Sequence, residues 1–136
     1  MKELYRRLAE SYGIKWKGRR YDRSNPEKDD IVNTAINHAA TAVYAAGMIA
    51  VACTSTIPQL GFIHESARVA FPLDIADMRR TELTIPIAFE SVKIKRQQGW
   101  EDIERITRRC AARRLQSEKI IPKMIDDIKE LLTAQP

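Results

Sequence analysis

One histidine and two aspartates lie in a short stretch of this sequence and could together hold a divalent metal ion. His64 stands in "GFIHESARVAFPLDIADMRR", residues 61–80, and is followed by Asp74 and, three positions later, by Asp77. An imidazole combined with carboxylates suits Mn²⁺ or Mg²⁺ in phosphoryl chemistry. On a helix, the spacing of the aspartates would place both carboxylates on one face, near the positively polarised N-terminus.

The same aspartates also have a purely structural interpretation. Asp74 follows Pro72 and Leu73, so it is well suited to cap a helix that begins there, and Asp77 then resembles the acidic half of a capping box. One aspartate can cap the helix while the other binds metal, in which case Asp77 is the better candidate ligand. The residue pattern alone leaves both interpretations open.

Two basic clusters could contact an anionic partner. "KWKGRRYDR", residues 15–23, interleaves Trp16 and Tyr21 with basic side chains, a combination that can stack bases while holding phosphates, although both aromatics could instead anchor a loop to the core. Further along, arginines at spacings of three and four form a predicted helical ridge that suits phosphate contact or a solvated face. This basic ridge consists of Arg105, Arg108, Arg109 and Arg113.

Composition sets broad limits on what the chain can be. Its 136 residues are about one domain, and the net charge of +5 favours an anionic partner without choosing among nucleic acid, membrane surface and acidic protein. Cys53 and Cys110 each stand in an apolar stretch, so we expect buried free thiols. The charged start "MKELYRRLAESYG" is not a secretory signal, and we expect a cytoplasmic protein.

The elements that must position these residues are helices. We expect a short helix ending at Gly13, an alanine-rich central helix in residues 27–53 whose Gly47 admits close neighbours, and a helix from Asp74 that is interrupted near Pro86 and ends at Gly99. Two further helices are expected over 100–115 and 117–132. The sequence therefore predicts one all-α bundle of five or six helices around a long alanine-rich central helix.

Three short motifs carry a resemblance to a known family. "YGIKWKGRRYD", "GFIH" and "DIAD", in this order and spacing, resemble the helical C-terminal catalytic domain of the CRISPR-associated spacer-acquisition integrase called Cas-one, subtype I-E. The resemblance covers nearly all of residues 1–136. It implies a metal-dependent endonuclease or integrase domain in which the 3′-hydroxyl of a captured DNA fragment attacks a phosphodiester of the CRISPR array, with Mg²⁺ or Mn²⁺ as the cofactor.

The resemblance also implies roles for single residues and partners. His64 and Asp77 match two metal ligands, and Asp74 matches a further functionally important aspartate. The partners implied are DNA, a small Cas-two-like protein, and a second Cas-one copy in full-length members of the family. The positions that match DNA-contacting residues are Tyr21, Tyr44, Arg80, Arg105 and Arg108.

Departures from the family pattern add two expectations. In the register of the match, the third metal ligand, a glutamate, would fall upstream of Met1, as would the β-rich N-terminal domain, and Ala67 replaces a lysine near the captured DNA end. We therefore expect this chain alone to bind metal weakly and to be inactive or nearly so. The alternative is a non-enzymatic DNA-binding or assembly module that keeps the fold and a vestigial site.

Overall fold

Helices account for all regular secondary structure in the part of the chain that is described. The computed structural model describes residues 2–18, 30–54 and 70–133, and within these ranges it contains six α-helices, one π-helical turn and no strand, as predicted. The α-helices are α1 (Lys2–Ser11), α2 (Ile31–Cys53), α3 (Ala70–Asp77), α4 (Ile85–Gln98), α5 (Ile103–Ser117) and α6 (Ile120–Thr133), and the π-helical turn is Arg80–Thr84.

The alanine-rich helix α2 lies at the centre of the bundle. Asp30 caps it by accepting a hydrogen bond from the backbone N–H of Val32 at 3.2 Å. By length and composition alone α2 could cross a membrane, yet it packs against α3, α4, α5 and α6. Alanines on its buried faces let these helices approach, which confirms the predicted core helix.

Gly47 sets the distance between α2 and α3. A Cβ atom at this position would lie 2.8 Å from the carbonyl oxygen of Pro72 and 3.8 Å from the Cβ of Ala76. The first distance is shorter than real Cβ atoms tolerate, and the obstacle is backbone rather than a movable side chain. The prediction that Gly47 admits a close neighbour is confirmed, and that neighbour is the helix carrying Asp74 and Asp77.

The helix start predicted at Asp74 is wrong. Helix α3 begins at Ala70, so Pro72 lies in its first turn and Asp74 in its interior. Proline is tolerated there because the first backbone N–H groups of a helix have no intrahelical acceptor. Asp74 is therefore not an N-cap, and Asp77 is the last residue of α3 rather than part of a capping box.

The interruption predicted near Pro86 is present but lies mostly before it. Helix α3 ends at Asp77, and the chain then widens into the π-helical turn Arg80–Thr84, where the N–H of Ile85 donates to the carbonyl of Arg80. Pro86 has no N–H to donate to Glu82 and its ring would clash there in a regular helix. A wider turn avoids this clash, and Pro86 then stands in the first turn of α4.

The two C-terminal helices begin about three residues later than predicted. Gly99 ends helix α4 as expected, with φ +73° and with its N–H donating to the carbonyl of Lys95 at 2.8 Å. Trp100 and Glu101 belong to the connecting turn, and α5 starts only at Ile103. A second turn, containing Lys119 at φ +50°, separates α5 from α6.

Aromatic contacts attach the N-terminal segment to the bundle. The Trp16 ring lies 6.0 Å from Tyr5 and 6.2 Å from Phe89 between centroids, and Tyr12 lies 6.1 Å from Phe89. The indole N–H of Trp16 donates to Asn33 at 3.5 Å. Of the two interpretations left open for Trp16, these contacts support the core anchor.

The cysteines differ from each other in exposure. Cys110 is buried in α5, as expected, and burial raises the pKa of its thiol. Cys53 is exposed, so the prediction of burial is wrong for this residue. It ends α2 beside exposed Ala52, on the side of the last turn opposite the buried residues Ala50 and Val51.

Candidate metal and nucleic-acid site

Asp77 presents a carboxylate to solvent at the C-terminal end of α3. Its side chain is 42% exposed, and Oδ1 lies 3.9 Å from Nη1 of Arg80, which begins the π-helical turn. An ion pair this long and this exposed is weak. The end of α3 therefore combines an acidic group that can bind a cation with a guanidinium that can approach a phosphate.

Asp74 has a different environment from Asp77. It is fully buried in α3, three residues before the exposed Asp77. Within the described residues no buried side-chain nitrogen or oxygen lacks a hydrogen-bond partner, as expected from the cost of burying an unpaired carboxylate. The two aspartates thus do not face solvent together, although their spacing predicted a shared face.

The predicted ligand set can be examined only in part. His64 and Tyr21 lie outside the described residues. In the ranges 2–18, 30–54 and 70–133, no group of three histidine, cysteine, aspartate or glutamate side chains forms a possible metal site. Of the predicted ligands, Asp77 is the one that the described residues show with an exposed carboxylate, and a complete ligand set is not found among them.

An ion pair between distant parts of the chain fixes the backbone next to Asp77. Arg79 donates two hydrogen bonds to Oδ2 of Asp127, from Nε at 3.0 Å and from Nη2 at 2.7 Å. Its Nη1 donates to Glu82 at 2.7 Å. The Arg79 and Asp127 side chains are only 15% and 20% exposed. No sequence signal points to this pair, because the two residues stand 48 positions apart.

The basic ridge predicted on α5 divides into separate environments. Arg105 and Arg108 line one shallow depression of about 250 Å³ together with Asp102 and Glu104. Arg108 pairs with Glu104 and is 73% exposed, whereas no ion pair or hydrogen bond of Arg105 is found within the described residues. Both arginines are exposed, and their role at a DNA-contacting face stays a prediction.

The other two arginines of the ridge do not share that depression. Arg109 makes a bidentate pair with Glu101, with both N–O distances 2.8 Å. Hydrogen bonds from Arg109 hold the pKa of Glu101 below its ordinary value, so the pair stays charged at lower pH than an isolated glutamate would allow. Arg113 lines a different groove, beside Glu90 and Lys93. The ridge is therefore not one continuous cationic surface.

Tyr44 lies within α2 and is half-buried against the core. Arg80 is also half-buried, with its guanidinium turned toward Asp77. Neither position has a contact within the described residues that would show its predicted role beside DNA. Both roles stay predictions.

Comparison with known proteins gives one consistent family. No family profile matches the chain. It is 34% identical over 135 residues to the CRISPR-associated endonuclease Cas1 of Escherichia coli K12, which covers 98% of this chain and 43% of that protein. It is 30% identical over 131 residues to the Cas1 of Clostridium sp. SY8519, covering 96% of this chain and 43% of the relative.

Solved structures agree with these sequence matches. The crystal structure of a TtCas1–DNA complex matches 98% of this chain and 49% of that one, with a TM-score of 0.87 and 31% identity. The crystal structure of TtCas1 matches with a TM-score of 0.79 and 28% identity. The chain spans less than half the length of these relatives. By sequence and by fold, this chain belongs to the Cas1 family of CRISPR-associated endonucleases.

Proposed function

We propose that this chain is a DNA-binding, metal-dependent catalytic domain for CRISPR spacer acquisition, which joins the 3′-hydroxyl of a captured DNA fragment to the array by transesterification. The observation that carries the proposal is the match, at a TM-score of 0.87, to a relative crystallised with DNA. The net charge of +5 and the exposed arginines on α5 fit a polyanionic substrate.

Some of the site residues are proposed to bind the metal ion and others to bind phosphate. Asp77 and His64 are the proposed ligands of Mg²⁺ or Mn²⁺, and a divalent ion held there would polarise the attacked phosphodiester. Asp77 keeps an exposed carboxylate for this role. Arg80, 3.9 Å from it, is positioned to hold a phosphate oxygen of the strand being joined. Asp74, being buried, acts by supporting α3 from within rather than by direct contact with substrate.

The remaining DNA contacts come from the bundle surface. Arg105 and Arg108 hold phosphates along the path, and Tyr21 and Tyr44 border it. We further propose a Cas-two-like small protein and a second Cas1 copy as partners in the complete assembly. The cytoplasm is the proposed location, because the CRISPR array is there.

The metal role is testable on this chain directly. Asp77→Asn should lower Mn²⁺ affinity at least about 10-fold, since even residues that only orient a ligand contribute about 10–100-fold to metal affinity. The measurement is calorimetric titration of the purified chain with Mn²⁺. Asp126→Asn is the matched control, because Asp126 is an exposed aspartate on α6, and it should leave the affinity unchanged.

Equal Mn²⁺ binding by the parent and the Asp77→Asn protein would remove Asp77 from the site. His64→Ala provides the second arm of the experiment and should weaken binding as Asp77→Asn does. A parent chain that binds Mn²⁺ no better than either variant would contradict the metal site in this chain.

A second candidate function is a non-enzymatic DNA-binding or assembly module. It is favoured by one observation, that Asp74, one of the predicted site residues, is fully buried inside α3. Under this alternative DNA binding persists while Mn²⁺ neither binds at Asp77 nor promotes joining. The titration above therefore separates the two candidates.

A further inference from the structure

Trp100 is a large apolar side chain that the bundle leaves almost fully in water. Its side chain is 82% exposed, against 45–50% for the other exposed large hydrophobic residues in the described ranges. It stands in the turn between α4 and α5, which also contains Gly99 and Glu101. A side chain this exposed contributes little to the core of the described fold, so the indole is available to a ligand.

Hydrogen bonds fix the backbone of the turn both before and after Trp100. Before it, the backbone N–H of Gly99 donates to the backbone carbonyl of Lys95 at 2.8 Å. After it, Glu101 is buried and bound by both terminal nitrogens of Arg109 at 2.8 Å. The ammonium of Lys95 spans the turn, donating to the carbonyls of Gly99 at 3.0 Å and Glu101 at 2.7 Å. An aromatic ring on such a fixed backbone loses little entropy when it binds.

The charges around the turn favour an anionic ligand. Arg109 donates hydrogen bonds to the Glu101 carboxylate, Lys95 donates one to the Glu101 carbonyl, and Arg105 also acts electrostatically on this carboxylate. Asp102 and Glu104 line the depression that Arg105 and Arg108 share, so the four cations Lys95, Arg105, Arg108 and Arg109 exceed the three carboxylates Glu101, Asp102 and Glu104 by one positive charge. Arg105 is exposed and lines the depression that it shares with Arg108.

The neighbours of Trp100 also argue against an apolar protein partner. The residues that flank it and are exposed with it are Gln97, Gln98, Gly99 and Asp102, and none of these is apolar. Protein interfaces surround an aromatic anchor with a desolvated patch, and this turn provides none. A single flat ring among polar groups and cations is instead suited to stacking on a nucleobase whose phosphates are held alongside.

We propose that Trp100 is a stacking site for an unpaired DNA base, with Arg105 holding a neighbouring phosphate. The ligand class is a single-stranded segment or overhang, because a base inside a duplex has no free face to offer. The inference rests on the proposed DNA-binding function and adds to it a means of selecting unpaired over paired DNA.

Affinity measurements test the site in the full chain. Trp100→Ala should weaken binding of an oligo(dT) of about 12 nucleotides by about 5- to 150-fold, the range for one lost stacking contact. Trp100→Phe should restore most of the affinity, because a phenyl ring still stacks. Leu132→Ala removes another exposed apolar side chain, 47% exposed on α6, and should have no effect.

A duplex probe separates stacking from charge. Binding of a blunt duplex, and the dependence of that binding on salt between about 50 and 200 mM, should be the same for Trp100→Ala and the parent, because no phosphate contact is lost. Arg105→Ala combined with Arg108→Ala should instead flatten the salt dependence for both probes. If the parent chain binds neither the oligo(dT) nor the duplex, the proposed DNA-binding function itself is contradicted.

Fluorescence gives an independent readout of the indole. The chain has two tryptophans, so Trp16→Phe leaves Trp100 as the sole indole, and oligo(dT) should quench its emission more than the duplex does. Three results would overturn the stacking site: oligo(dT) affinity unchanged in Trp100→Ala, equal losses for oligo(dT) and duplex, or a Trp100 emission change that follows protein concentration without DNA. The last would identify a contact between copies of the chain.

Discussion

At the scale of single residues, environment rather than residue type separates functional candidates from structural ones. Asp74 and Asp77 are the same amino acid one helical turn apart, yet Asp74 is fully buried and Asp77 is 42% exposed. Likewise, Arg105 and Arg109 belong to one predicted ridge, but only Arg109 is bound in a bidentate pair. A sequence pattern identifies such residues, and only packing decides which of them meets a ligand.

The cysteines provide a direct test of this distinction. Cys53 should react with a thiol reagent such as dithionitrobenzoate in the native protein, whereas Cys110 should react only after unfolding, because it is buried and burial raises its pKa. The measurement is the number of cysteine thiols per chain that react before and after addition of denaturant. Cys53→Ser should abolish the native reaction. Reaction of two thiols per chain in the native protein would contradict the burial of Cys110.

At the scale of elements, the position of Asp77 depends on two contacts of α3 and the turn after it. Gly47 lets α3 lie close to α2, since a Cβ there would be 2.8 Å from the backbone of Pro72. The Arg79–Asp127 pair holds the following turn to α6. One partner in each contact, Gly47 or Asp127, lies outside the stretch 61–80 that contains the aspartates.

Gly47→Ala tests the first of these contacts. Alanine favours a helix over glycine by about 1 kcal/mol, but forcing a methyl against fixed backbone costs about 1–3 kcal/mol. We expect the clash to dominate, lowering the free energy of unfolding by up to about 2 kcal/mol, and a displaced α3 to weaken Mn²⁺ binding. Denaturant titration measures the first effect. An increase in stability would show that α2 and α3 separate easily.

The sequence predicts the elements well where the signals are local. Hydrophobic periodicity and the breaks at Gly13 and Gly99 predict the helical bundle and its central helix. The small residue Gly47 indicates that another helix lies close to α2. The start of α3 was predicted wrongly because Pro72 can stand before a helix or in its first turn. The Arg79–Asp127 pair was not predicted, because tertiary contacts between distant residues have no local pattern.

At the scale of the whole molecule, the residues that the structure describes present candidate chemistry at two places. The end of α3 carries Asp77 and Arg80, and the first turns of α5 carry Arg105 and Arg108 after the exposed Trp100. Under the proposed function, both places are parts of a DNA-joining domain. The family match covers less than half of the relatives, so the activity of a complete protein must be tested in a longer chain.

Strand joining tests the central claim most directly. This chain would replace the matching segment of the Escherichia coli relative, and the chimera would be supplied with Mn²⁺, a Cas-two-like partner and a labelled 3′-hydroxyl DNA fragment. Joining to a plasmid that carries a CRISPR array is the readout. The account predicts joining by the chimera and by its Asp126→Asn control, with loss of at least about 100-fold in Asp77→Asn and His64→Ala, the scale of losing one preorganised charge-stabilising group. Undiminished joining by the Asp77→Asn chimera would contradict it.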